Sequence, residues 1–590
     1  MEALKEDSQF EAPLLEGLHI AEINTFYHAK LKENSISRRG ERIIDINGVN
    51  NRTDSWRACI YILVTECFEE LAYYGIQFNL VTFLKTVLQE SNVAAARNYT
   101  NWQGTCYIAP LVGAIIADSY LGRYLTTVAF FTVYLVVLCL GMAAMSISAS
   151  FPTCTGPDCL PDGSSQSAVF FLGLYMMAIG AGGIKPCVSS FGADQFDDSS
   201  PAERLKKDSF FNWFFFAIYI GSFISGTVVV WVQDRYGWVI GLWVPTLFIA
   251  LAMASFLLGS SSYRVQKPPG SPIPRVLQVI VAAVRKWNVR VPQDASLLYE
   301  SPDKASMADG QKLQHTPVLR FLDKAAVVSS DEELCDPWKL CTVTQVEELK
   351  VIIGMLPIWA TGIVFFAVLA QFSSTFLEQG RTMDTQVGAF AIPAASLASF
   401  DAVSVLIWVP VYDRVLVPAA RRLTGNERGI SELQRFGAGL LLSVLVMVAA
   451  ALVETRRLAL VVAGAGAHGE GEAAPMSILW QVPQYFLVGA SVVFACVGQT
   501  EFFYNEAPAA MRSLCSALAL LTVALGSYLS SLVVTAVACL TTRGGAPGWI
   551  PDDLNEGHLD RFFWLLAALS ALNLAVFVWC ARRYKRKNVS

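Results

Sequence analysis

Four ionisable side chains stand inside apolar sequence, where a charge can do chemistry. Three are carboxylates: residues 64–75 read VTECFEELAYYG, with Glu66, Glu69 and Glu70. Spacings of three and four residues put Glu66 on one helical face with both of the others. Three carboxylates this close in a low dielectric cannot all be ionised at low cost, so they are expected to hold protons as a coupled group. The fourth is Lys185, which follows Gly180, Gly182 and Gly183 and precedes Pro186. The glycines permit close helix approach. The proline frees a backbone carbonyl that needs a cavity or a neighbour. A lysine there can serve as counter-ion to the acids or to a carboxylate on a solute, with a purely structural ion pair as the alternative. Asp401, in ASFDAVS, either lines a pathway or caps a neighbouring helix. Tyr73, Tyr74, Gln371, Trp480 and Gln484 are polar-tipped residues in apolar runs. They are candidates to line the same cavity, although Tyr and Trp also form interfacial belts.

The elements that position these groups are transmembrane helices. The chain has 590 residues, 54% hydrophobic and 16% charged, with mean hydropathy +0.44. A soluble chain carries about 25% charged residues, so too little polar surface is present for a water-soluble particle. The formal net charge of −5 argues against a nucleic-acid partner. A window of ~20 apolar residues gives twelve spans, near 57–84, 102–119, 124–148, 168–190, 210–232, 238–259, 348–376, 387–411, 434–455, 478–503, 513–539 and 561–581. The chain is therefore expected to be an all-α membrane protein of the major facilitator layout, two six-helix bundles at 55–260 and 347–582. A cytosolic segment (1–54) precedes them, a linker (261–346) joins them, and a basic tail (583–590) ends the chain. Within the linker, PIPRVLQVIVAAVRKWNV reads as an amphipathic surface helix and the rest as flexible chain. The first fifty residues lack an apolar run, so no cleavable signal peptide is expected.

Positive charge sets the orientation. Arg204, Lys206 and Lys207, the linker, Arg421 and Arg422, and the terminal ARRYKRK are basic, whereas the 149–167 loop has no Lys or Arg. The N-terminus, linker and C-terminus are thus cytosolic. That leaves Cys154 and Cys159 outside the cytosol, where a disulfide can persist, and Asn98 in NYT as a possible external glycosylation acceptor. At the cytosolic ends of the second and eighth spans an internal echo appears. GAIIADSYLGRY holds Asp118, Gly122 and Arg123, and PVYDRV holds Asp413 and Arg414. A tight turn with an acid–base clamp at both places suits conformational gating.

The motifs ELAYYGIQFNL, GAIIADSYLGRY, GIKPCVSSFGADQFD, FFNWFFFAIYIGS, LPIWATGIVF, TMDTQVGAFAIPAASL, WQVPQYFLVGA, EFFYNEAPAAMRSLCSALAL and WIPDDLNEGHLDRFFWL run in order over about 55–585. Together they resemble the proton-coupled oligopeptide transporter family and its plant nitrate/peptide branch. FLEQGRTMD and the AYYGI context look most like the peptide-transporting subgroup. The resemblance implies a major facilitator fold, alternating access around a mid-membrane cavity, and Glu66, Glu69 and Lys185 in proton coupling and substrate binding. Substrates in the family range over di- and tripeptides, nitrate and other plant metabolites. Departures are specific. The first-span motif of the family ends in Arg or Lys where this chain has Glu70. Its fifth-span Asn is Tyr219, and its tenth-span Glu is Val492. The seventh-span histidine of the nitrate carrier is Leu369, which removes support for that pocket.

These observations favour a proton-driven symporter of a di- or tripeptide. A carrier of nitrate or another small metabolite with altered coupling, and a membrane sensor that does not transport, stay open as alternatives. Enzyme chemistry is not expected, because five histidines form no metal cluster and neither a nucleophile motif nor a GxxxxGK[ST] phosphate loop occurs. The expected partners are the lipid bilayer and a small solute, with a proton as coupling ion and no other cofactor. Oligomeric state, and the choice between plasma and vacuolar membrane, are left open.

Overall fold

The computed structural model describes residues 55–88, 92–150, 163–197, 200–265, 272–300, 313–329, 336–387, 390–392, 394–425, 429–464, 474–508, 511–542, 548–551 and 554–584. Cys154, Cys159 and the first fifty-four residues lie outside that set. Twelve long helices carry the fold: α1 (Ser55–Gln77), α2 (Asn92–Ile116), α3 (Gly122–Ser150), α4 (Gly163–Ala193), α5 (Pro201–Ile224), α6 (Trp238–Leu258), α7 (Val343–Leu369), α8 (Ala398–Val411), α9 (Glu432–Gly464), α10 (Val482–Glu506), α11 (Arg512–Thr541) and α12 (Leu559–Arg583). Ten continuous stretches among the described residues are long and apolar enough to cross a membrane. The difference from twelve has two causes. α2 and α3 run together as one stretch, Asn101–Leu140, and α1 holds three acids.

Each half packs on itself. α1 lies against α5 and α6, α3 against α4 and α6, and α2 against α4; in the other half α9 lies against α10 and α12, α7 against α11 and α12, and α8 against α10. The halves meet through α2 with α11 and α5 with α8, joined by α4 with α11 and α5 with α10. Exchanging the halves maps the first pair onto the second, the pseudo-two-fold relation of inverted or repeated bundles. α2 and α4 touch closely enough that a Cβ on Gly113 would lie 2.4 Å from the Gly182 oxygen. That carbonyl is the one Pro186, four residues on, cannot bond.

Four expectations are corrected. The eighth span begins at Ala398, not 387: residues 386–387 and 390–391 pair as a short hairpin, and Ala394–Leu397 is a 3₁₀ turn. The first span breaks after Gln77, with Leu80–Thr86 as a separate short helix. Of the linker, residues 266–271, 301–312 and 330–335 lie outside the described set, and the described parts pack against the helices rather than running free. Its amphipathic helix Pro272–Arg285 forms as expected, but residues 313–329 also dock on the start of α7. Lys350 Nζ lies 2.6 Å from Asp323 and 2.8 Å from Glu347, and Arg275 lies 3.1 Å from Glu348. Asn98 falls inside α2, whereas an acceptor for glycosylation belongs in a surface loop.

Candidate functional site

The site begins with α1 and α4 packed side by side. Glu66, Glu69, Glu70 and Lys185 are all buried. Lys185 Nζ lies 2.6 Å from Glu70 Oε1 and 3.7 Å from Glu69 Oε2. It also sits 4.2 Å above the Tyr73 ring, where the ring's negative face favours a cation. Both oxygens of Glu69 and one each of Glu66 and Glu70 accept no hydrogen bond. Three carboxylates thus share one ammonium. Burying an unpaired carboxylate is costly, so the surplus must be neutralised by protons or by the cationic end of a solute. Glu70, read from sequence as a charge reversal at a coupling position, is in fact the nearest partner of Lys185.

The other candidates divide. Tyr74 and Tyr219 are partly exposed. Tyr74 lies in electrostatic range of Glu70, Lys185 and Asp401, and Tyr219 in range of Tyr74 and Asp401. Tyr107 on α2, not singled out by sequence, joins them through Lys185 and Glu70. Its position on the apolar face of a span gave no signal beyond the residue type. Tyr73 is wholly buried and stacks on Trp102 at 5.6 Å. Val492 is buried in the core of the C-terminal half, with Tyr219 and the partly buried Leu369 packed against that core. Gln371 is not placed as a free lining group: its amide nitrogen donates to Ser530 Oγ at 2.7 Å and ties the 3₁₀ turn after α7 (Ala370–Ser373) to α11. Gln484 donates to Gln379 Oε1 at 3.1 Å, in a buried network that continues to Glu454 and Arg457. Trp480 is 58% exposed, which suits an interfacial anchor better than a cavity wall. A polar tip in an apolar run cannot by itself tell a pathway from a helix–helix tie.

The two acid–base motifs both bridge the halves. A π-helical turn, Ala117–Leu121, ends α2, and another, Tyr412–Leu416, ends α8. Asp118 and Asp413 are each the second residue of their turn. Gly122 comes directly after the first turn at φ 74°, a left-handed geometry natural to glycine. Asp118 accepts from the Leu514 backbone N–H at 3.1 Å. Arg123 donates to Ser513 Oγ at 2.8 Å and pairs with Asp194, which Arg512 and Tyr504 also contact. On the other side, Asp413 accepts from Ser209 at 3.0 Å and from Asn212 at 2.9 Å, and Arg414 lies 5.5 Å from the Trp213 ring centroid. A cavity of about 230 Å³ lined by Asp208, Asn212, Asp413, Arg421, Arg435 and Glu501 adjoins this second contact.

Among the described residues, two groups have the donor types for a metal ion, Glu66–Glu69–Glu70 and His315–Asp323–Glu347. In each a lysine ammonium, Lys185 or Lys350, already lies within 4 Å of two of the carboxylates.

Two pseudo-symmetric six-helix halves, the N-terminal one holding a buried charge cluster, define a multi-pass membrane protein of the major facilitator fold. The family model PTR2, described as "POT family", matches residues 127–550. In Arabidopsis thaliana the chain is similar to Protein NRT1/ PTR FAMILY 8.3, at 54% identity over 93% of this chain and 95% of that one. It is also 54% identical to Protein NRT1/ PTR FAMILY 8.1, over 91% and 95%. Among solved structures it resembles an auto-inhibited POT family peptide transporter, with TM-score 0.59, 24% identity, and coverage of 90% and 97%. It likewise resembles a POT family transporter in complex with 5-aminolevulinic acid, with TM-score 0.56, 14% identity, and coverage of 90% and 97%. The chain belongs to the POT family, and is accordingly a transporter of a small solute and not an enzyme.

Proposed function

We propose that this carrier is a proton-driven symporter of di- or tripeptides, working by alternating access. The observation that supports this reading best is the α1–α4 cluster, in which one lysine pairs with two of three buried carboxylates. A peptide carboxylate competes with Glu70 for Lys185. The released acids then hold the protons that enter with the peptide, so substrate and proton neutralise the same cluster. Filling it removes the buried charge that opposes rocking of the halves, and the Asp118–Arg123 and Asp413–Arg414 contacts open and close at the cytosolic ends. Reliance on a proton rather than another cofactor, the gating role of these contacts, and residence in the plasma or vacuolar membrane belong to the same proposal. Expression in oocytes tests it: alanyl-alanine should elicit an inward current that is larger at acid than at neutral external pH and absent in Lys185→Ala. Surface-expressed protein with neither current nor labelled-peptide uptake rules the peptide reading out. A second reading, transport of a larger and less charged metabolite, draws on Tyr219 of α5 and Val492 of α10, which are less polar than the Asn and Glu of the family motif at those positions.

A further inference from the structure

The cavity of about 230 Å³ beside the α5–α8 contact is lined by a cation and an acid that do not meet. Elsewhere in the molecule such charges pair directly, as Asp194 with Arg123, Glu454 with Arg457 and Asp323 with Lys350. Arg421 stands on the short helix Val417–Thr424 that follows α8. Among the described residues it has no acid at pairing distance, and its Nε is buried without an acceptor. Asp413 accepts only from two neutral groups, Ser209 at 3.0 Å and Asn212 at 2.9 Å. Arg435, on α9, pairs with Glu501 at 3.4 Å, yet its Nε, on a side chain 1% exposed, also lacks an acceptor.

Asn212 completes the lining. Its side chain is buried, its nitrogen is committed to Asp413, and its Oδ1 accepts nothing. The wall therefore presents guanidinium N–H donors at Arg421 and Arg435 and, away from them, acceptors at Asn212 and Asp413. Leaving such groups buried without partners is costly. Lys206 also lines the cavity but is exposed, so water serves its charge. The chain returning to α9 holds the Arg421 stem in place: a Cβ on Gly429 would lie 3.0 Å from the Val417 oxygen and 3.4 Å from Arg421 Cγ. A ligand that satisfies both sets of groups must carry a negative and a positive end. Sites for drug-sized ligands run to roughly 300–1,000 Å³, so a cavity of about 230 Å³ takes something smaller.

We propose that this cavity binds a free amino acid as a zwitterion, its carboxylate accepting from Arg421 and its ammonium donating to Asp413 and the Asn212 oxygen. Asn212 belongs to the N-terminal half and the two arginines and Asp413 to the C-terminal half, so a ligand here touches both. It favours the arrangement in which α5 lies on α8, and thereby acts on the carrier from a place other than the α1–α4 cluster. The proposal does not rest on the peptide reading, since the transported solute takes no part in it.

The test is a thermal-shift titration of the full chain purified in detergent. The probes are L-alanine, propionate, which lacks the ammonium, and ethylamine, which lacks the carboxylate. L-Alanine should stabilise the wild type saturably, and more than either half-probe at equal concentration. Arg421→Gln should weaken the response to L-alanine about tenfold, as for loss of a charged hydrogen bond. Arg421→Lys keeps the charge and should keep the preference for L-alanine over ethylamine. Where Arg421→Gln does not yield monodisperse protein, Asn212→Ala takes its place, with the same loss expected. Lys185→Ala, or Lys185→Gln where the alanine variant does not fold, should respond to L-alanine as the wild type does. No saturable response in the wild type overturns the proposal. So does an equal response to propionate, which would mark a site for anions alone, or an undiminished response in Arg421→Gln. A response lost with Lys185 and kept without Arg421 places the amino acid at the α1–α4 cluster and overturns it as well.

Discussion

The two sides of the central space handle charge in opposite ways. On the N-terminal side, Glu66, Glu69 and Glu70 crowd around Lys185, and the nearest contact is 2.6 Å. On the C-terminal side, Asp401 has, among the described residues, no cation beside it and no hydrogen bond on its buried Oδ1. A cluster that contains its own counter-ion tolerates an empty cavity and can exchange one partner for another. An isolated buried acid has no such reserve and depends on something from outside, whether proton or ligand. The difference suggests a division of labour in which one wall stores and trades charge while the other waits for it.

Lys185→Ala breaks that contrast most completely, because it makes the N-terminal wall as uncompensated as the other. Leaving carboxylates buried without their cation costs about 3–5 kcal/mol, so labelled dipeptide uptake per surface molecule should fall at least ~100-fold. Arg123→Ala brings Asp118 toward the condition of Asp401 and leaves Asp194 with Arg512 alone. Uptake should fall by roughly 10- to 100-fold, in keeping with lost charged hydrogen bonds. A melting temperature lowered by several degrees should accompany it. Glu70→Gln sharpens the contrast instead. Acid-stimulated net uptake should drop about tenfold, while peptide exchange, which moves no net proton, continues. Equal loss of both would mean that Glu70 only holds Lys185 in place. Arg414→Ala removes a cation–π contact of about 0.5–1 kcal/mol, and turnover should change by no more than about fivefold. Trp480→Ala, at a ring that is 58% exposed, should leave uptake within about twofold of wild type, as surface substitutions usually do.

Much of this was legible in the sequence for a physical reason. Ionisable residues inside apolar runs are rare because they are costly, so the α1 acids and Lys185 stood out, and the twelve hydrophobic runs marked the helices. The glycines at 180, 182 and 183 marked a close helix approach, though not that α2 would be the partner. Facing directions were not legible. Asp401 was visible as an intramembrane acid, but its exposure to Tyr74 and Tyr219 depends on how the halves meet. Gln371 and Gln484 looked the same as cavity residues until their partners, Ser530 and Gln379, were placed beside them. The fold of residues 313–329 was hidden for a similar cause: its anchors, Lys350 and Glu347, lie in α7.

The π-helical turns at Ala117–Leu121 and Tyr412–Leu416 set a rule about chain length. Each contains one residue more than an α-helical path would need, and a single residue turns a helix by about 100°. Deleting a residue there other than Asp118, Asp413 or Arg414 would let the turn close to an α-helix and re-aim the acid it carries away from its partner in the other half, even with every contacting residue retained. These two short stretches should therefore accept substitutions far more readily than insertions or deletions. The number of residues in each turn is as much a working part of the carrier as their identity.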